Sequence, residues 1–335
     1  MNANAPQVNQ PHGFDPSTLV GLEIANGDIR VVEHLNHGSF SFVYRGECNS
    51  TNSTYALKFM RKVEPTSREW RMQCMEFESH LRAHEHPGVV TLHRVIEHGD
   101  YIVLVLDYIS GGDLLDAVLK QPSRYKGDEH RIRSTFGQML RALKHTHDVG
   151  VVHRDLKLEN FLVSEDLSEV YLADFGLATT SRVYEPVGSM PYVPPEYLRE
   201  HVRPSPTMSY TACDVWAMGC LLYQLLTGVC PWKQASLSDP SYINYLRDRR
   251  TIFATYGHNL TRELQSLLIK ALAPHPVDRS VAPTVHQDYT LLLTKPFDTA
   301  SPSTSSLPDT THCPHYTSRA NPSTPNASGS PPLSS

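Results

Sequence analysis

The spacing of apolar and polar residues divides the chain into two stretches of different rhythm. In the first third, Arg30 to Leu35, Phe42 to Glu47, Tyr55 to Met60 and Tyr101 to Leu106 have the length and apolar content of strands. The polar-rich segment from about Glu69 to His84 predicts one long helix crossing them. Further along, the period becomes helical. Between His130 and Val149 the residues Ile132, Phe136, Met139, Leu140 and Leu143 fall on one face, and Gly150 ends the run. Asp214-Val215-Trp216-Ala217-Met218-Gly219 opens a second, strongly apolar helix that ends near Gly228. Strands followed by helices give an α+β chain. The run from Tyr101 to Leu106 is far shorter than the ~18 residues a membrane span needs, so it reads as core and no membrane partner is expected.

The pattern fades at both ends. Residues 1–18 are polar and proline-punctuated, and residues 296–335 are crowded with Ser, Thr and Pro, so a disordered head and tail are expected to flank a folded segment over 19–295. With 335 residues and 40% hydrophobic content the chain can bury a two-lobed core. No apolar signal segment follows Met1, so an intracellular protein is expected. The cysteines at 48, 74, 213, 220, 230 and 313 show no paired short spacing and read as reduced thiols. A net charge of -5 supplies no footprint for nucleic acid. His80, His84 and His86 have spacings a metal site can use, but at a helix end in a chain with 18 histidines chance placement is the simpler reading. Sequons at Asn49, Asn52, Asn259 and Asn326 are expected to be unused in a cytosolic chain.

Two polar clusters beside apolar runs carry the chemistry: His153-Arg154-Asp155-Leu156-Lys157-Leu158-Glu159-Asn160, then Asp174-Phe175-Gly176. Alone, the first could be a solvated charge cluster and the second a simple turn; in this order, with further motifs around them, coincidence is a poor account. Moving a phosphoryl group from ATP to a hydroxyl places charge on the equatorial oxygens, so a protein has mainly to position the partners and neutralise that charge. Asp155 can accept the hydroxyl proton, Lys157 can steady the moving phosphoryl, and Asn160 and Asp174 can hold Mg2+ through oxygen ligands. Here the sequence resembles the eukaryotic protein kinases, in their serine/threonine branch, where a lysine stands two residues after the catalytic aspartate. The resemblance runs from about Val20 to about Thr294. It implies a bilobal fold, with a small antiparallel-sheet N-lobe carrying one main helix (19–107) and a larger, mostly helical C-lobe (108–295). ATP and Mg2+ are the implied cofactors.

The same resemblance assigns further positions. Lys58, ending Tyr55-Ala56-Leu57-Lys58, would reach the α and β phosphates and be held by an acidic partner on the next helix. Glu69, Glu76 and Glu78 are candidates, and Glu76 is preferred although it stands eleven residues before Pro87, one more than the commonest kinase spacing. The glycine-rich loop departs from G-x-G-x-x-G: Asn36-His37-Gly38-Ser39-Phe40-Ser41 keeps only the middle glycine. Gly38 would admit backbone amides to the phosphates, Ser41 stands at the third glycine position, and Asn36 would cost up to ~1 kcal/mol if the first must take positive φ. Leu35, Val43, Ala56 and Leu162 would sandwich adenine, Leu106 would be the gatekeeper, and Asp107 and Ile109 would offer backbone hydrogen bonds to the base. Asp113 would face the ribose or a basic substrate side chain, and Glu159 matches a second position that receives basic residues, so protein substrates with Arg or Lys before the target Ser or Thr are expected.

Pro194-Pro195-Glu196 stands where kinases carry A-P-E, and Glu196 should pair with Arg279. Asp214 would brace the backbone around His153. Arg154 would pair with a phosphorylated Thr179, Thr180 or Ser181, with Tyr184 also in that segment, and Ser189 would hold its hydroxyl against Asp155 and Lys157. A narrower likeness rests on Thr91-Leu92-His93-Arg94-Val95, Arg124-Tyr125-Lys126-Gly127-Asp128, Gly188-Ser189-Met190-Pro191-Tyr192, and Trp232-Lys233 followed by Ser238-Asp239-Pro240-Ser241-Tyr242. These resemble the fungal kinases that restrain meiosis and act in nutrient and stress signalling, which implies a cytoplasmic or nuclear protein; a monomer is expected. Two readings stand at this stage. One is an active serine/threonine kinase. The other is a silent kinase-fold scaffold, suggested by the lost loop glycines and the position of Glu76. Retention of Lys58, Asp155 and Asp174 favours the enzyme.

Overall fold

Strand alternation builds the first layer. In β2 (Ile29–His37) Ile29 and Val31 turn inward; so do Tyr44 of β3 (Ser41–Cys48), Leu57 and Phe59 of β4 (Thr54–Arg61), and Val103 and Val105 of β6 (Tyr101–Asp107). With Ile24 of β1 (Glu23–Ile24) they form one buried face of the sheet. The computed structural model describes residues 16–38, 41–121, 125, 128–180, 187–198, 211–254 and 262–279. Ser39, Phe40, Ser181, Tyr184, Cys313, the sequons at Asn259 and Asn326, and the disorder expected over 1–15 and from Pro296 lie outside these residues. Pro16–Leu19 is a 3-10 turn whose Leu19 joins the sheet core.

All neighbours in the sheet are antiparallel, in the order β1-β2-β3-β4-β6-β5. Strand β5 (Leu92–His98) was not among the expected strands, because His93, Arg94 and Glu97 are solvent-facing and only Leu92 is fully buried. The second sheet face buries Met60, Leu92 and Leu104 beneath Phe77 of helix α1 (Arg68–Ala83). Ser67 starts α1 by accepting the Trp70 N–H at 3.0 Å.

The second part is mostly helical. Asp113 caps α2 (Leu114–Lys120), and Asp128 caps α3 (Glu129–Asp148) by accepting the Arg131 N–H at 2.9 Å. The five apolar residues expected on one face of α3 are all buried, and Gly150 takes φ 80° to close it. Strands β7 (Phe161–Val163) and β8 (Val170–Leu172) pair antiparallel. Helix α4 (Ala212–Thr227) is buried along nearly its whole length and ends on Gly228 at φ 81°. Helices α5 (Pro240–Arg247), α6 (Thr251–Ala254) and α7 (Arg262–Ala271) complete this lobe. Between the lobes Gly111 lies against backbone: a Cβ there would meet Val163 O at 2.3 Å and Ser164 O at 2.4 Å. Among the described residues no helix is long and apolar enough to cross a membrane.

Candidate active site

Sheet, helix and β8 converge on one amine. Lys58 on β4 faces Glu76 on α1 at 2.6 Å and Asp174, two residues past β8, at 2.8 Å. Burial alone would strip the proton from Lys58, but the Asp174 and Glu76 carboxylates outweigh it, and its pKa is raised. Lys58 in turn holds the Asp174 carboxyl well below the usual carboxylate range, while burial keeps Glu76 above its own. Of the three acidic candidates on the helix the structure brings Glu76 to Lys58; Glu78 pairs with Arg82 instead. The eleven-residue spacing to Pro87 therefore does not displace the pair.

The second group sits on the loop before β7. Asp155 Oδ1 accepts the Ser189 N–H and the Ser189 hydroxyl, both at 2.9 Å, and Lys157 Nζ lies 2.9 Å from Asp155 Oδ2 and 3.2 Å from Ser189 Oγ. Asn160 donates its amide to the Asp155 carbonyl at 2.8 Å and to Oδ2 at 3.3 Å, which leaves its amide oxygen as the atom to face a cation. Asp174 uses Oδ1 on Lys58, and its side chain is 50% exposed. One carboxylate and one amide oxygen, presented from adjacent segments, suit Mg2+ completed by phosphate and water oxygens. The segments are adjacent because Phe161 pairs with Leu172 and the Ala173 N–H donates to Asn160 O at 2.8 Å.

Arg154 and Asp174 hold left-handed backbone, at φ 67° and 58°. Such conformations persist only where neighbours over-determine them. For Arg154 the clamp is Asp214, which accepts the His153 and Arg154 N–H groups at 2.8 Å each, as expected around His153. His147 Nε2 also lies 2.8 Å from Asp214; the sequence reading missed this contact, although the histidine recurs six positions before His153. Burial pushes the Asp214 carboxyl up, and the hydrogen bonds from His147 and the backbone more than reverse that. Glu196 meets Arg279 in a bidentate pair at 2.5 and 2.6 Å, with the guanidinium over the Trp216 ring.

The activation segment corrects one expectation. Thr179 exchanges both backbone hydrogen bonds with Val152 at 2.9 Å and is buried, so it is no accessible phosphoacceptor in this arrangement. Thr180 directs its hydroxyl to Glu78 Oε1 at 3.4 Å, and Arg154 donates Nε to Leu177 O at 2.7 Å.

The positions expected to face a nucleotide come from the sheet, the linker, the start of α2 and β7. Asn36, opposite Val43 in the β2–β3 ladder, has no positive φ, so the strain foreseen for replacing a glycine there does not arise. Gly38 donates its N–H to Ser41 O at 2.8 Å, and Leu35 of β2 is exposed. Ala56 pairs with Leu106, and Leu162 bridges to Asp113. The Asp107 N–H already donates to Thr91 O, and its carboxylate takes His93 Nε2 at 2.6 Å; Ile109 follows in the linker between the lobes.

A curled antiparallel sheet over a helical lobe, with a lysine held by a helical carboxylate and an Asp-Lys-Ser cluster at the cleft, defines a protein of the bilobal phosphotransferase class. The chain belongs to the protein kinase family: the protein kinase domain matches residues 29–290. It is 35% identical over 289 residues to the negative regulator of sexual conjugation and meiosis of Schizosaccharomyces pombe, an alignment covering 80% of this chain and 61% of that protein. It is 33% identical over 240 residues to the serine/threonine-protein kinase cds1 of the same organism, with 69% and 51% covered. The serine/threonine-protein kinase PEPKR2 of Arabidopsis thaliana shares 37% identity over 230 residues, with 67% and 45% covered. The chain thus spans between about half and three-fifths of these relatives.

Proposed function

We propose that this chain transfers the γ-phosphoryl group of ATP to serine and threonine hydroxyls of proteins. The observation that carries this reading is the Asp155 carboxylate group, oriented by Ser189, Lys157 and Asn160 within hydrogen-bond reach. In this reading Asp155 accepts the proton of the attacking hydroxyl, Lys157 follows the charge of the moving phosphoryl, and Lys58, held by Glu76, orients the nucleotide phosphates. Asn160 and Asp174 would hold Mg2+, which supplies charge neutralisation on the phosphate oxygens. The silent-scaffold reading rested on the loop and on the placement of Glu76; Asn36 sits in ordinary backbone and Glu76 reaches Lys58, so neither feature supports it. The test is transfer of labelled phosphate from ATP to a generic protein substrate with Mg2+, wild type beside Asp155→Asn. Transfer that collapses in the variant supports the enzyme; equal background in both, with folded protein, sinks it.

Basic residues before the target hydroxyl are part of the proposal. Burial raises the Glu159 carboxyl, and Asp113 nearby adds to the shift; burial likewise raises Asp113. Glu159 Oε2 is buried with no hydrogen-bond partner among the described residues. A cationic side chain would relieve both carboxylates. A positional peptide library should enrich Arg or Lys before the acceptor, and Glu159→Gln should weaken that enrichment; a flat library would refute the preference. Likeness to the negative regulator of sexual conjugation and meiosis of Schizosaccharomyces pombe supports a place in fungal meiotic control; nutrient or stress signalling and a cytoplasmic or nuclear location belong to the proposal on the motif resemblance alone.

A further inference from the structure

His86 follows the end of α1 and is half-buried. Its Nδ1 accepts the Gly88 N–H at 3.0 Å, so the side chain closes a turn on its own backbone. An imidazole that accepts at Nδ1 is neutral and keeps its proton on Nε2. Charging the ring would put a second proton on Nδ1, and two N–H groups would then point at each other.

The surroundings oppose that charge as well. Two groups from α3 act on His86: the His145 ring, at 5.0 Å between centroids and 30° between planes, and the Arg141 guanidinium. Both repel a cation. Glu85, the carboxylate beside it in the chain, exerts no pull on it, and β8 faces this loop with the apolar Leu172. Burial first, then His145 and Arg141, hold the His86 imidazole below its ordinary value. Gly88 is wedged between the two elements: a Cβ there would meet the His86 ring at 3.2 Å and Ala142 of α3 at 3.5 Å.

The same glycine reaches toward the active site. Its carbonyl accepts the Leu172 N–H at 2.8 Å, and the Val90 N–H donates to Leu172 O at 2.9 Å. Leu172 ends β8, two residues before Asp174. A change in the Gly88 backbone angles therefore moves a hydrogen bond on which β8 depends.

We propose that the His86 turn is an acid-sensitive latch on the segment that carries Asp174: neutral His86 holds Gly88 against Leu172, and protonation expels the Gly88 N–H, sets His86 against His145 and Arg141, and loosens β8. A base whose proton affinity is lowered by folding contributes stability that is whole above the unfolded value of ~6.5 and is lost as pH falls through the lower folded value. The latch thus holds at neutral pH and opens in acid.

Its effect on phosphoryl transfer rests on the kinase reading above; the latch itself does not, and the test keeps the two apart. His86→Asn offers an amide oxygen to the Gly88 N–H, as in an Asx turn, and takes up no proton. His145→Phe keeps a ring and removes one repelling group. In the full chain, exchange of the imidazole C2 hydrogen read by mass spectrometry across pH follows the His86 titration. Its midpoint should lie below the ordinary imidazole value and move upward in His145→Phe. Backbone amide exchange from Val170 to Asp174 should be about fivefold faster in wild type than in His86→Asn near pH 5.5, and within about twofold near pH 7.5, the common pH cancelling the intrinsic rate. Transfer from ATP should fall about fivefold further in wild type than in His86→Asn over the same interval, about pH 7.5 to 5.5. A His86 midpoint at or above the ordinary value, a midpoint unmoved in His145→Phe, or equal amide exchange in acid would each overturn the latch. Should His86→Asn not fold, the titration in wild type and His145→Phe decides alone. Folded wild type that transfers no phosphate at any pH would overturn the kinase reading, while the exchange measurements still judge the latch.

Discussion

Asp155 takes hydrogen bonds from Ser189 and Asn160 and an ion pair from Lys157, so an isosteric amide in its place would keep most of the shape and lose the proposed base. Asp155→Asn should therefore lower kcat by ~10²–10⁴ with ATP affinity little changed, read by turnover beside nucleotide titration. Asp214 acts one layer behind. Its carboxyl is held below the ordinary value, so its contribution to folding is present above the unfolded pKa of ~3.9 and fades as pH falls through and below it. Asp214→Asn should melt below wild type at neutral pH, and the gap should narrow between about pH 5 and pH 3 in thermal scans. A gap independent of pH would assign the loss to packing alone.

At the scale of elements, the Glu196–Arg279 pair ties the segment that carries Glu196 to the helical lobe. The arginine side chain is 0% exposed and the glutamate 5%. Removing one partner strands a buried charge, so Arg279→Ala should cost about 3 kcal/mol or more in a denaturant titration. Arg279→Lys keeps the charge without the fork and should recover only part of that loss. Helices α3 and α4 were legible in the sequence because their faces repeat over several turns and each closes on a glycine at positive φ, Gly150 and Gly228. Strand β5 was not, because its outward side carries His93, Arg94 and Glu97 and its burial comes from the Leu92 end. The two-residue β1 is too short to show any period. Motif spacing placed Glu76 opposite Lys58 but gave no hint of Asn36 backbone angles or of the Thr179 bridge, since both are set by partners distant in sequence.

Across the whole molecule, the linker that follows β6 packs on the helical lobe where Gly111 abuts two backbone carbonyls, with no room for a side chain. Backbone cannot swing aside as a side-chain tip can. Gly111→Ala should therefore cost about 1–3 kcal/mol, visible as a lower melting temperature, and should weaken ATP binding by shifting the linker against β7. An unaltered melting temperature would show that the linker yields at this point. The bilobal plan was readable from catalytic motifs that each demand a place in the cleft, whereas this contact depends on a glycine that nothing in its local pattern marks. Arg279 lies 83 positions after the glutamate it neutralises. A translation product cut short before that arginine would still contain the catalytic loop and Asp174, yet would bury a carboxylate with no counter-charge under the substrate segment. Damage near the end of the fold would thus be registered at its centre, and such fragments should be cleared as misfolded chains instead of lingering as nucleotide-binding remnants.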